Sequence, residues 1–124
     1  MRSLALHLPR VPPVPHGRRH GDVQRRNLLL DDHGTLALID WERAEIGPLV
    51  SDFVRIADTW MDAPELEAAL FDGYGRTLSP DEAQALKGLS ALDALSGIQY
   101  GATHGDPELV ERGHRTLHRL RKEA

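Results

Sequence analysis

Residues 20–42 read HGDVQRRNLLLDDHGTLALIDWE, and the order of polar and apolar letters in this stretch decides the reading of the fold. Two apolar runs, Asn27-Leu28-Leu29-Leu30 and Thr35-Leu36-Ala37-Leu38-Ile39, flank Asp31-Asp32-His33-Gly34. Gly34 can take a positive φ, and two short apolar runs around a glycine-containing loop predict a β-hairpin, here one buried on both faces. The strands of a hairpin meet again at its open end. Asn27, which opens the first strand, and Asp40, which closes the second, are therefore expected to be neighbours, with Asp22 close by on the loop leading in. Two carboxylates and an amide are hard oxygen donors. They suit Mg²⁺, which takes a few protein oxygens together with substrate phosphates.

Working outward toward the C-terminus, the period changes from strand to helix. Val50, Phe53, Val54, Ala57 and Met61 recur at helical spacing after Gly47-Pro48 and predict a first long helix. Pro64 fits the first turn of a second, carrying Leu66, Ala69 and Leu70 to Gly73. Ser79-Pro80-Asp81-Glu82 is a helix start: a capping serine, a proline suited to the first turn, and a glutamate at the capping-box position. That helix runs through Leu86, Leu89, Leu92, Leu95 and Ile98, and Asp106-Pro107 opens a last one. The expected fold class is α+β, mainly α, with a small β-hairpin at the front edge of about four helices. Toward the N-terminus, Pro9, Pro12, Pro13 and Pro15 exclude helix, so residues 1–19 are expected to be an extended or disordered Pro-rich arm, with order from about His20.

The whole-chain numbers agree with a single modest core. The chain has 124 residues, 40% of them hydrophobic, and a net charge of −4. An acidic balance argues against a general nucleic-acid binder. There is no cysteine, so disulfides and cysteine-ligated zinc are excluded and a reducing, cytoplasmic setting is the default expectation. No apolar run reaches membrane-spanning length, and the short run before Pro9 lacks the features of a secretion signal; no membrane partner is expected.

Taken singly, the polar residues have ordinary explanations. An aspartate at a strand end caps a turn, an asparagine before a strand closes one, and a histidine such as His20 is usually a hydrogen-bonded scaffold residue. Taken together, in order and at these intervals, they resemble a known family. HGDVQRRN at 20–27 resembles the HGDxxxxN loop of aminoglycoside phosphotransferases and of related choline, fructosamine and homoserine kinase-like enzymes. IDWE at 39–42 resembles their second metal-binding signature, and Gly47-Pro48 with Asp52 resembles the stretch that follows it. Protein kinases use a similar pair of loops.

The resemblance implies an ATP- and Mg²⁺-dependent kinase of a small hydroxylated molecule, with a protein-kinase-like fold. By it, Asp22 is the catalytic residue that orients or deprotonates the attacking hydroxyl. Asn27 and Asp40 hold the metal and, through it, the nucleotide. His20 and Gly21 shape the loop, Asp52 ties the loop to the first helix, and Glu42 is a candidate for a supporting role beside the metal or substrate. Gly21 stands where protein kinases carry an arginine, so control by activation-loop phosphorylation is not expected.

The family also places an ATP-binding N-lobe before the HGD loop, and residues 1–19 hold no counterpart. Residues 20–124 are therefore expected to be a C-terminal catalytic and acceptor-binding lobe with the N-lobe missing, a truncated chain whose partner is a separate N-lobe chain or a second copy. The alternative expectation is a non-catalytic remnant or binding module that keeps the lobe. Gln24-Arg25-Arg26 departs from the loop interior common in relatives and is open to phosphate contact or to solvent. The basic cluster Arg112, Arg115, Arg119, Arg121 and Lys122 reads as a solvated helix face.

Overall fold

The computed structural model describes residues 13–60 and 63–123. The predicted hairpin is present: β2 (Leu28–Leu30) pairs antiparallel with β3 (Leu36–Leu38), in register Leu28 with Leu38, Leu29 with Ala37 and Leu30 with Leu36. Asp31 closes its loop. The Asp31 carboxylate accepts from the His33 and Thr35 amides at 2.8 Å each, while Gly34 takes φ 79°.

A second ribbon precedes and follows the hairpin. β1 (His16–Arg19) pairs antiparallel with β4 (Glu45–Pro48), so order begins ahead of His20, and the arm expected over 1–19 gives way to a strand at His16. Proline halts hydrogen bonding only where its missing amide is needed. Beyond Pro48 the Leu49 amide donates to the Pro15 carbonyl at 3.0 Å and continues the pairing. Gly17 faces Gly47 in this ribbon, and Arg19 uses the space. A Cβ at Gly47 would lie 2.7 Å from Arg19 Nε, and Arg19 also pairs with Glu45. Residues 1–12 of the expected arm lie outside the described residues.

The helix expected over Val50–Met61 is two short 3₁₀ segments, Leu49–Phe53 and Ile56–Thr59; Met61 lies outside the described residues. The reason is local competition. The Ser51 hydroxyl donates to the Pro48 carbonyl at 2.6 Å and the Thr59 hydroxyl to Ile56 at 2.7 Å. These three-residue bonds tighten the turn in place of the four-residue helical ladder. Three helices follow: α1 (Pro64–Tyr74), α2 (Pro80–His104) and α3 (Pro107–Lys122). The start of α2 is the predicted capping box, with Ser79 Oγ accepting from the Glu82 amide at 3.1 Å and Glu82 accepting from the Ser79 amide at 3.0 Å. Gly105, at φ 68°, ends α2, and Asp106 caps α3 by accepting from the Leu109 amide at 3.1 Å. The chain is thus α+β and mainly helical.

The core lies where the 3₁₀ segments meet α1 and α2. Val50, Phe53 and Ala85 are buried, with Trp60, Leu70, Phe71, Leu86 and Leu89 packed around them. Phe53 stacks on Phe71 at 5.7 Å between centroids and meets Tyr74 edge-on at 5.1 Å, so the chain's few aromatics are concentrated at one seam. α2 and α3 approach closely because glycines line their contact. A Cβ on Gly113 would lie 2.5 Å from Ile98 Cγ1 and 2.7 Å from the Ala94 carbonyl oxygen. The hairpin departs from expectation in burial. Leu29, Leu30 and Leu36 are exposed, Leu30 by 71% and Leu36 by 61%, because no described element packs over their faces. No helix among the described residues is long and apolar enough to cross a membrane.

Candidate active site

The loop between β1 and β2 is fixed from below by one carboxylate. Asp52, in the first 3₁₀ segment, accepts from the His20 amide through Oδ2 and from the Gly21 amide through Oδ1, both at 2.9 Å. Two backbone donors that would otherwise be stranded in a half-buried turn are satisfied by one charged group, the stronger class of hydrogen bond. Gly21 sits at φ 89°, and a Cβ there would lie 2.5 Å from the Arg43 carbonyl oxygen. Both the conformation and the space admit only glycine.

His20, 2% exposed, then joins the two halves of the site. Its Nδ1 accepts from the Asp22 amide at 3.1 Å, so Nε2 carries the proton and donates to the Ile39 carbonyl at 2.8 Å. Trp41 packs edge-on against the imidazole, with centroids 4.6 Å apart, and is anchored by its own Nε1 donating to the Leu38 carbonyl at 2.8 Å. The ring therefore spans from the Asp22 loop to the residue just before Asp40.

Asp22 and Asn27 are both buried and in direct contact. Asn27 Nδ2 donates to the Asp22 carbonyl at 2.8 Å and to Asp22 Oδ2 at 3.1 Å. With Nδ2 so engaged, Asn27 Oδ1 is the atom of that amide left to accept. Gln24 donates to Asp22 Oδ1, and Arg26 reaches Oδ2 at 3.5 Å. Of the loop interior, then, Gln24 and Arg26 turn toward the aspartate. Burial pushes the Asp22 carboxyl up, but hydrogen bonds from Asn27 and Gln24 and the charges of Arg55 and Arg26 outweigh it, leaving Asp22 below the ordinary carboxylate value. It is ionised throughout the neutral range.

Asp40 reaches this place by backbone. The Ile39 amide donates to the Asn27 carbonyl at 2.9 Å, closing the open end of the hairpin and setting residues 27 and 40 at the same mouth. Asp40 itself has φ 65°, the one positive value among the described non-glycine residues. Such a conformation is uncommon outside glycine and costs about 1 kcal/mol or more. The side chain is exposed. Glu42 is exposed on the turn closed by the Ala44 amide and the Trp41 carbonyl at 3.0 Å, and its carboxylate makes no hydrogen bond to the loop or to Asp40.

The donor set bears on a magnesium site. Among the described residues no group of three histidines, cysteines or acids is arranged to hold a metal. Mg²⁺ needs less, keeping waters and phosphate oxygens around one or two protein oxygens. The Asn27 amide oxygen, the exposed Asp40 carboxylate and the Asp22 carboxylate that Asn27 touches are donors of the kind that requirement names.

Arg55 was not singled out by the sequence. It donates to Asp93 of α2 at 3.3 Å, and together with Gly21, Asp22, Asp52 and Asp93 it lines a cavity of about 210 Å³ beside Asp22. Its polar position within an apolar periodic run was the available signal. Trp41 was visible only as part of the IDWE string, and its packing on His20 depends on the hairpin closing.

The model of the phosphotransferase enzyme family matches residues 1–92 of the chain. The chain belongs to this family. No curated protein and no solved structure matches it. The phosphotransferase match takes in the Asp22 loop, the hairpin, Asp40, Asp52 and the first half of α2. It ends at Leu92, so α3 lies beyond it.

Proposed function

We infer that the chain is the catalytic, acceptor-binding lobe of a protein-kinase-like phosphotransferase that moves the γ-phosphoryl group of ATP to a hydroxyl of a small molecule. The observation that supports this best is the bonded chain from Asp52 through the loop amides and His20 to Asp22 and Asn27, which holds a buried carboxylate in one orientation. In this reading Asp22 accepts a hydrogen bond from the acceptor hydroxyl. The oxygen attacks the γ-phosphorus, the bond from that phosphorus to the bridging oxygen breaks, ADP departs, and the hydroxyl proton passes to Asp22 or to solvent. Because the carboxylate is held below its ordinary pKa it is a weak base, so its contribution is mainly to orient and to complement charge. Asn27 Oδ1 and the Asp40 carboxylate would hold Mg²⁺, which when bound neutralises phosphate charge. The small cavity beside Asp22, with Arg55 and Asp93, is where the acceptor would enter.

Calorimetry with ATP, with and without Mg²⁺, tests the reading. We expect metal-dependent binding that Asp40→Ala removes. Equal heats for wild type and Asp40→Ala would sink it. A second reading, a binding module without turnover, is favoured by the exposed apolar hairpin: nothing among the described residues closes over the mouth, and exclusion of water is part of catalysis. A separate N-lobe chain or a second copy of this chain covering the hairpin would restore closure. Nucleotide binding with no transfer to any polyol or amino sugar, in wild type and in mixtures with candidate partners, would favour that second reading.

A further inference from the structure

A larger cavity among the described residues lies away from Asp22. It has a volume of about 820 Å³ and is lined by the second 3₁₀ segment, α1, α2 and α3. Its floor is apolar, with Trp60, Phe71, Leu86 and Leu120; its rim carries Lys87, Arg115 and Lys122 against the acids Glu67 and Glu123, and the mostly buried Arg119 also lines it. A surplus of positive charge around one cavity is unexpected in a chain of net charge −4.

The charge balance beneath the rim sharpens the point. Among the described residues one carboxylate, Asp58, serves two guanidinium groups, accepting from Arg112 Nε at 2.7 Å and lying 3.6 Å from Arg119 Nη2; the Thr116 hydroxyl also donates to it at 3.4 Å. The Arg119 side chain is only 16% exposed; its Nε and Nη2 are shut off from solvent with no hydrogen-bond partner among the described residues, Nη2 facing Asp58, so the rest of the guanidinium is what Arg119 presents to the cavity. Two permanent cations share one carboxylate there, and an anion at the cavity face of Arg119 would balance the second. The carboxylate available is already shared. Three of its cations, Arg115, Arg119 and Lys122, come from α3, beyond the phosphotransferase match, while Trp60, Phe71, Leu86 and Lys87 lie within it.

We propose that this cavity binds a small amphipathic carboxylate, its head at Arg119 and its hydrocarbon body over Trp60, Phe71, Leu86 and Leu120. The volume suits a drug-sized ligand, and an apolar floor with few convergent charges is the usual composition of such a site. The proposal does not depend on the phosphotransferase reading. α2 turns Leu86 and Ser90 to this cavity and Leu89 and Asp93 to the one beside Asp22.

Octanoate, below its micellar concentration, is the probe, with 1-octanol and inorganic phosphate as controls. Calorimetry gives affinity, and the Trp60 indole resonance, read beside that of Trp41, gives location. We expect saturable one-to-one binding of octanoate that moves Trp60 and leaves Trp41 in place, with octanol, phosphate and Arg119→Gln each weaker by about tenfold or more. No saturable octanoate binding overturns the proposal. Octanol binding equally well removes the anion's role, phosphate binding equally well removes the apolar body, and undiminished binding by Arg119→Gln removes the anchor. Should circular dichroism show Arg119→Gln unfolded, Lys87→Glu on the exposed rim takes its place, and unchanged octanoate affinity there overturns the proposal.

Discussion

Glu82 anchors the start of α2, the helix that carries Leu89 and Asp93 to the cavity beside Asp22. Its carboxylate, 3% exposed, accepts from Arg76 Nη1 at 2.7 Å, from Arg76 Nη2 at 3.1 Å and from the Ser79 amide at 3.0 Å. The Arg76 bonds first, then the Ser79 amide, pull its pKa from the ordinary 4.5 to about 2 against the opposing effect of burial. At about 1.4 kcal/mol for each tenfold change in proton affinity, that is roughly 3 kcal/mol of pH-linked stability before screening. The Arg76 side chain is 45% exposed, so solvent weakens its share and about 2 kcal/mol is the working figure. A lowered folded-state pKa means that the stabilisation is complete above pH 4.5 and is lost as pH falls from there toward 2. Glu82→Gln keeps the shape and removes the charge. Urea unfolding followed by circular dichroism should find it about 2 kcal/mol less stable than wild type at pH 7, and by less than about 1 kcal/mol at pH 3. A gap that stays constant between those pH values would refute the charge argument, and no gap at pH 7 would refute the anchor itself.

Other substitutions probe the loop and the helix seam. Gly21→Ala places a Cβ against the Arg43 carbonyl oxygen in a left-handed conformation, so we expect a loss of about 2–4 kcal/mol in denaturant unfolding. Gly113→Ala drives a methyl into Ile98 and the Ala94 carbonyl and should cost about 1–3 kcal/mol by overpacking, whereas Gly88→Ala, which meets nothing within 4 Å, should be neutral or stabilising. Once an acceptor is found, Asp22→Ala should slow transfer by about 10²–10³-fold, the scale of a lost orienting and charge-complementing group. The acid limb of the wild-type pH–rate profile should lie below the ordinary carboxylate range, because the folded loop favours the ionised form.

The sequence was legible wherever a local rule had no competitor. Asp31 through its carboxylate and Gly34 through its φ fix the hairpin turn, and Ser79 with Glu82 fixes the start of α2, so both elements could be read without knowing the rest of the chain. The segment from Val50 to Trp60 could not. Its apolar period is helical, but the Ser51 and Thr59 hydroxyls and the Asp52 carboxylate draw the backbone into tighter turns, and two of the partners of Asp52 lie more than thirty residues away. Burial of the hairpin was misjudged for a related reason. Leu29, Leu30 and Leu36 record a capacity to be covered, and apolar letters do not say whether a cover is present. At the site, the HGD and IDW strings marked His20, Asp22, Asn27 and Asp40 as a group. The contacts of Gln24, Arg55 and Trp41 became visible only once the chain had closed around them.

The central claim is that Asn27 and Asp40, backed by Asp22, hold one divalent cation at the mouth of the hairpin. Paramagnetic relaxation by Mn²⁺, titrated with ATP into isotope-labelled protein, tests it most directly. The claim predicts early, selective broadening of the Asn27 side-chain amide and the backbone amides of Asp22 and Asp40, abolished in Asp40→Ala. Broadening centred on another part of the chain, or unchanged in that variant, would contradict it.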